Sequence, residues 1–347
     1  MTTSKDKLTI SVDPRIELLS IIQYFASHEG FDPICAKETE YVERISAFFS
    51  GFRNHPAIKF YEKMSASDFS YDAPPNLMMH LSITPKVELI YPLSNYIMER
   101  TGGENIVYEL IDHLNDFIEE TCFMAFYENN QAYYNSVVAL ITDDLGNNNH
   151  IAILEEYYGM EQNSYSVVIA PLFSGNYGSE VNSIDGSKNI FSFQDLSQLR
   201  ESKRINGTLK YQMLGILWHE FSHSFINPLT KKHLIEVMKY QSLFKDIEKQ
   251  MKEQAYSTWE TCVNELIIRA VTCRFIILEF NDLLNNDTSK YQGDYFDNEE
   301  RQGFIYIRAL YHKLTRYESN RDKYRTIDEF YIELLSGFKE YLQSANQ

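Results

Sequence analysis

The stretch ILWHEFSHSFINP, residues 216 to 228, limits what this chain can fold into more than any other segment. From Leu209 to Phe225 the apolar residues Met213, Leu214, Leu217, Trp218, Phe221 and Phe225 recur at helical spacing, so one face of a helix has to be buried here. His219, Glu220 and His223 fall inside that stripe. Pro228 predicts the end of the helix at Asn227, because the residue before a proline is disfavoured in the helical region. Four residues apart, the two imidazoles stand one above the other about 6 Å apart, which lets two ring nitrogens converge on one cation. Glu220 lies about 100° around the helix, close enough to touch a metal-bound water without ligating the metal. Gly215, one turn earlier, is expected to leave space above the ion. The arrangement is HExxH, two ligands with a general base between them.

A catalytic zinc usually takes three protein ligands and a water. No histidine follows at short spacing, and His233 lies beyond Pro228, so the third ligand is expected from STWETCVNELIIRAVTCRFIILEF, residues 257 to 280. This segment reads as a helix so apolar that its charges need a reason. Ser257-Thr258-Trp259-Glu260 reads as a capping box, which gives Glu260 a structural role. Glu265 has no such role. It sits among Val263, Leu266, Ile267 and Ile268, where a buried carboxylate calls for a cation or a strong hydrogen-bond partner. Arg269, one turn on, could form a structural ion pair with it, or it could orient a ligating carboxylate, as Asn264 also could. Glu265 is therefore the expected third ligand of one zinc ion, with Glu260 the alternative.

Composition narrows the function classes. At 347 residues with 44% apolar side chains the chain has material for one large or two ordinary cores. A formal charge of -17 would repel phosphate backbones and anionic lipid, so nucleic acid is excluded as an expected partner. No apolar run approaches the roughly 18 residues of a membrane span. The chain is expected to be soluble, and cytoplasmic as the sequence stands, or exported if a signal peptide has been removed. The four cysteines, Cys35, Cys122, Cys262 and Cys273, are scattered. On one helix Cys262 and Cys273 would lie about 16 Å apart, beyond the reach of a disulfide, so buried thiols are expected.

Helical periodicity dominates the remainder. Helices are expected over 14 to 30, with Gly30 as stop, and over 105 to 128, with shorter ones at 38 to 50, 56 to 64, 131 to 144 and 149 to 158. The β-branched run Ser166 to Ala170 predicts a strand, with Pro171 marking its end as an edge or an exit, and NIFSF at 189 to 193 predicts a second. Helices follow over roughly 232 to 254, 258 to 280, 299 to 317 and 326 to 343, and 285 to 300 reads as a polar loop. The fold class is thus α+β and predominantly helical, with a small sheet before the HExxH helix. A mainly helical region 1 to 160 and a region 161 to 347 carrying the site are expected, if the two are not one continuous domain.

HEFSH at 219 to 223, with Asn264-Glu265 on a later helix 42 residues on, resembles the gluzincin branch of the zincin metallopeptidases. HEFSHSFINPL, NELIIRA, SVDPRIELLSII and FSYDAPPNLMMHLS are similar to the family called domain of unknown function 4932, from about Val12 to about Phe338. The zincin resemblance implies a zincin-like fold and a zinc metallopeptidase. In it an edge strand, mapping to Tyr165, Val167 and Ile169, would pair with the substrate peptide. Arg269 replaces the acidic residue that often follows the third ligand, so the surroundings of Glu265 depart from that branch. Tyr317, Tyr324 and His312 are candidates by position for stabilising an oxyanion. Under this reading Glu220 takes a proton from water at the zinc, and the partner is a peptide or protein. Two rivals stay open: an inert zincin-like binding or structural protein, and a metal hydrolase acting on a non-peptide amide or ester.

Overall fold

The computed structural model describes residues 7–27, 32–34, 39–145, 150–197, 200, 210–281 and 288–345. It is an α+β protein, predominantly helical, with one four-stranded sheet. The chain divides into two compact units, residues 1–149 with 162–213, and residues 150–161 with 214–347.

The first unit holds β1 (Leu8–Ser11), the helices α1 (Pro14–Phe25), α2 (Glu40–Phe49), α3 (Pro56–Ser65), α4 (Ala73–Met79), α5 (Asn95–Thr101), α6 (Glu104–Thr121), α7 (Phe123–Asn129) and α8 (Gln131–Leu145), and the strands β2 (Ser164–Ala170), β3 (Tyr177–Asn182) and β4 (Lys188–Asp195). Asp13 starts α1 by accepting from the Arg15 N–H, and Pro14 supplies a preset φ at the first position. The helix ends at Phe25, short of the expected Gly30, which lies outside the described residues. The helix expected over 105 to 128 is two, because Cys122 adopts a left-handed conformation (φ 54°) that interrupts the hydrogen-bond ladder between α6 and α7.

The strand order is β1-β2-β4-β3, with β1, β2 and β4 parallel and β3 antiparallel to β4. This overturns the edge-strand expectation at Tyr165 and Val167, while Ile169 lies beyond the end of β1 and pairs with β4 alone. β1 pairs along one side of β2, Leu8 opposite Tyr165 through Ser11 opposite Val168, and β4 pairs along the other. β2 is interior, and its unbroken buried run Val167 to Ala170 is what a parallel strand covered on both faces needs. Pro171 marks only the exit. The sheet clusters with the N-terminal helices and not, as the sequence suggested, with the HExxH helix; its β1 comes from the first residues of the chain.

The second unit holds α9 (His150–Tyr158), α10 (Lys210–Lys232, from Leu214 on), α11 (Leu234–Met238), α12 (Phe244–Glu253), α13 (Trp259–Glu279), α14 (Thr288–Arg301), α15 (Ile307–Ser319) and α16 (Ile327–Ala345). Pro228 does not end its helix: α10 continues through it to Lys232, giving up the single bond that a proline cannot donate. The polar segment 285 to 300 is largely the helix α14, which buries Phe296 and Glu299 against its neighbours. The core of this unit is aromatic, with ring contacts running from Trp218 to Phe275, from Phe275 to Tyr158 and from Tyr158 to Phe225. Cys262 and Cys273 are buried free thiols, and Cys122 is exposed. Among the described residues no helix is long and apolar enough to cross a membrane.

Candidate metal centre

α10 and α13 bring the polar residues of both segments together. Where a Cβ on Gly215 would sit, Ile276 Cδ1 is 3.8 Å away and Thr272 Cγ2 4.0 Å away. The space at Gly215 is therefore taken by α13 and does not open above an ion. One and two turns further along α10, His219 and His223 meet Glu265, which lies nearer the start of α13 than Thr272 and Ile276. The two helices thus pass each other in opposite directions. Trp218 fixes the rotation of α10 by packing on Phe275 and donating from its ring nitrogen to the His150 carbonyl at 3.3 Å.

The imidazole rings are 5.2 Å apart between centres. His219 Nε2 is 3.5 Å from Glu265 Oε2, and His223 Nε2 is 3.5 Å from Glu265 Oε1. One ligand atom from each of the three residues lies within 4.8 Å of the others. Glu265 is buried, and its Oε2 makes no hydrogen bond. On the far side of the ring, His223 Nδ1 is 3.3 Å from Asn227 Oδ1, a partner suited to the tautomer that turns an unprotonated Nε2 toward Glu265.

The electrostatics favour a cation. Burial, reinforced by Arg269 and His223 and opposed by Glu265, pushes the His219 imidazole down to about 3 and keeps it neutral. Burial acts to raise Glu265, but His219, His223, Arg269 and a hydrogen bond from Tyr256 outweigh it and hold the carboxylate below its usual range. Arg269 reaches Glu265 Oε2 at 3.3 Å and Glu299 Oε2 at 2.9 Å, and its guanidinium sits 4.1 Å over the Phe304 ring. Two buried carboxylates thus face one guanidinium, and the cluster carries an excess negative charge. Two imidazoles, an ionised carboxylate with an oxygen that makes no hydrogen bond, and one surplus negative charge make His219, His223 and Glu265 a donor set that could hold a divalent cation.

The other residues singled out in the sequence fall as follows. Glu220 is half-buried on α10, within electrostatic reach of Tyr256. Asn264 is buried next to Glu265, with its Oδ1 making no hydrogen bond. Glu260 stands apart from the cluster: five residues before Glu265 it is about 140° around the helix. The capping residue is Thr258, which accepts from the Thr261 N–H at 3.1 Å, so the expected capping box is displaced by one residue. The Tyr317 hydroxyl donates to the Tyr157 carbonyl at 2.8 Å inside the core. Sequence reading missed Tyr256, Asn227 and Glu299. Asn227 had a signal, since it lies four residues after His223; Tyr256 and Glu299 had none, because they arrive from other elements.

Fold and cluster define a mostly helical α+β protein with a His-His-Glu group on two crossing helices. The chain belongs to the family described as Domain of unknown function (DUF4932), which matches residues 8–336. No curated protein and no solved structure matches it.

Proposed function

We propose that this protein is a zinc-dependent hydrolase of amide bonds, a metallopeptidase in the gluzincin manner. The observation that carries the reading is the meeting of His219, His223 and the buried, partly unbonded Glu265 beside Glu220. Zinc, when bound, supplies a water of lowered pKa and polarises the scissile carbonyl. The chain's own residues do the rest. His219, His223 and Glu265 hold the ion, and Glu220, on the next position of the same helical turn, accepts the proton of the attacking water and returns it to the leaving amine.

The rival in which the site is inert has less behind it. A structural zinc is usually closed by a fourth side chain, often cysteine. Among the described residues the group consists of His219, His223 and Glu265 alone, and buried Cys262, three residues before Glu265, does not join it. An inert site would also have no use for Glu220. The preference for a peptide over another amide or ester rests on the zincin resemblance, since β2 is paired on both sides from Tyr165 to Val168 and offers no free edge there.

Zinc stoichiometry of the wild type beside Glu265→Ala tests the site, and cleavage of a peptide library beside Glu220→Gln tests the chemistry. One zinc per chain is expected, lost in Glu265→Ala. Glu220→Gln should keep zinc while its kcat falls by about 10²- to 10⁴-fold, the usual worth of a general base. A wild type without zinc after reconstitution, or normal cleavage by Glu220→Gln, would sink the reading.

A further inference from the structure

Arg269 and Glu265 stand one turn apart on α13, with Arg269 Nη2 3.3 Å from Glu265 Oε2. A glutamate and an arginine at that spacing ordinarily close on each other, and a carboxylate closed on a guanidinium has little left to offer a metal. Here the contact is loose, for Glu265 Oε2 makes no hydrogen bond. The guanidinium gives its hydrogen bond to another carboxylate: Arg269 Nη1 donates to Glu299 Oε2 at 2.9 Å.

Residues 295 to 304, the second half of α14 and the turn after it, build the seat that holds Arg269 this way. The Tyr295 hydroxyl donates to the Arg269 carbonyl at 3.1 Å and pins α14 to α13 at that residue. Phe304 lies under the guanidinium at 4.1 Å, and its N–H donates to the Glu299 carbonyl at 3.0 Å, so ring and carboxylate belong to one frame. Glu299 is only 5% exposed, and a carboxylate so placed needs a matching charge, which Arg269 supplies. The charges then leave one surplus negative charge beside the two histidines. With Glu299 neutral, that surplus vanishes, and in a buried site the unmatched guanidinium acts at full strength on Glu265 and on any cation beside it.

We propose that Glu299 is a positioning residue for the metal centre and acts through Arg269: by taking the guanidinium's hydrogen bond and cancelling its charge, it keeps Glu265 from being closed off and leaves that carboxylate for a cation. The inference rests on the metal reading of the same site. It deepens that reading by assigning control of a ligand to a residue on α14, outside both ligand helices.

Glu299→Gln is the test, since it keeps the shape and an acceptor oxygen for Arg269 and removes only the charge. Zinc affinity is read by competition with a chromophoric chelator, and the thermal midpoint of the metal-free protein reports the fold. Zinc should bind about 10- to 100-fold more weakly, the usual cost of losing a group that supports a metal ligand. Glu299→Met, which leaves no buried amide to satisfy, covers the case in which the Gln variant folds poorly and should show the same loss. The double variant Arg269→Met with Glu299→Gln separates the proposed role from a structural one. It removes the whole ion pair but restores the surplus negative charge, so it should recover most of the affinity that Glu299→Gln loses. A merely structural Glu299 requires the reverse, with the double variant binding zinc no better than the single one. That result, or wild-type affinity in Glu299→Gln, would overturn the positioning role while leaving the metal site standing. A wild type that takes up no metal would overturn both.

Discussion

Each unit of this protein buries a glutamate in an apolar helix, and the two have opposite fates. Glu17 of α1 is fully buried beside the hydroxyls of Tyr41 and Tyr134, which bond to each other at 2.7 Å, and its Oε1 makes no hydrogen bond. Burial dominates there: two tyrosine hydrogen bonds act against it, nearby Asp13 acts with it, and the carboxyl is pushed up to about 7. Glu265 of α13 is as deeply placed, but it meets two imidazoles, a guanidinium and a phenol, and is held ionised. Depth alone therefore does not make a cation site. In sequence, PRIELLSIIQYF and WETCVNELIIRA raise the same question, and only the elements that pack against each helix answer it differently.

The sharpest way to break the contrast is to remove the cation at Glu265. Arg269→Met leaves Glu265 and Glu299 buried without their partner, which should destabilise the metal-free protein by about 3–5 kcal/mol. Saturating zinc should return part of that loss, since an ion bound only by the folded state stabilises it. Denaturant midpoints with and without zinc measure both effects. An Arg269→Met protein as stable as wild type without zinc would mean that the guanidinium is not what keeps Glu265 charged.

At Glu17 the expected effect is on pH dependence. Below pH 4.5 folded and unfolded chains both carry the proton, and stability is unaffected. Between 4.5 and about 7 the unfolded chain releases it while the folded one keeps it, so stability falls as pH rises. Above about 7 the whole cost is present, about 3 kcal/mol. Glu17→Gln should flatten that slope and be the more stable protein at pH 8, as read from urea midpoints across pH 4 to 8. An identical slope in the variant would remove Glu17 as its source.

The smallest effect concerns the turn before α13, where Ala255 sits at φ 68°, in the left-handed region that favours glycine. Ala255→Gly should stabilise the protein by about 1 kcal/mol, read from calorimetric midpoints. An unchanged midpoint would mean that the left-handed alanine carries no such cost.

Much of the site was legible because it is local. His219, Glu220 and His223 share one helical turn and a half, so their relation follows from helix geometry alone. Glu265 was legible because a carboxylate in an apolar helix demands a partner. The same rule was silent on Tyr256 and Glu299, which join the cluster from a turn and from a segment that reads as polar loop. The sheet was half legible. The β-branched run of β2 and the short β4 were visible, whereas β1, only four residues long, makes sense as a strand only once it lies against Tyr165 to Val168.

The sequence by itself determined the helical character, the HExxH turn, the apolar helix bearing Glu265, and a formal charge of -17, because each is a matter of spacing or composition. Tertiary structure alone decided that β2 is interior, that Pro228 is carried within a helix, that Gly215 meets Thr272 and Ile276, and that Glu265 is ionised while Glu17 resists ionisation. Those outcomes depend on which side chains arrive from distant parts of the chain. A carboxylate's charge state and a strand's free edge are properties of its neighbours, and local pattern does not contain them.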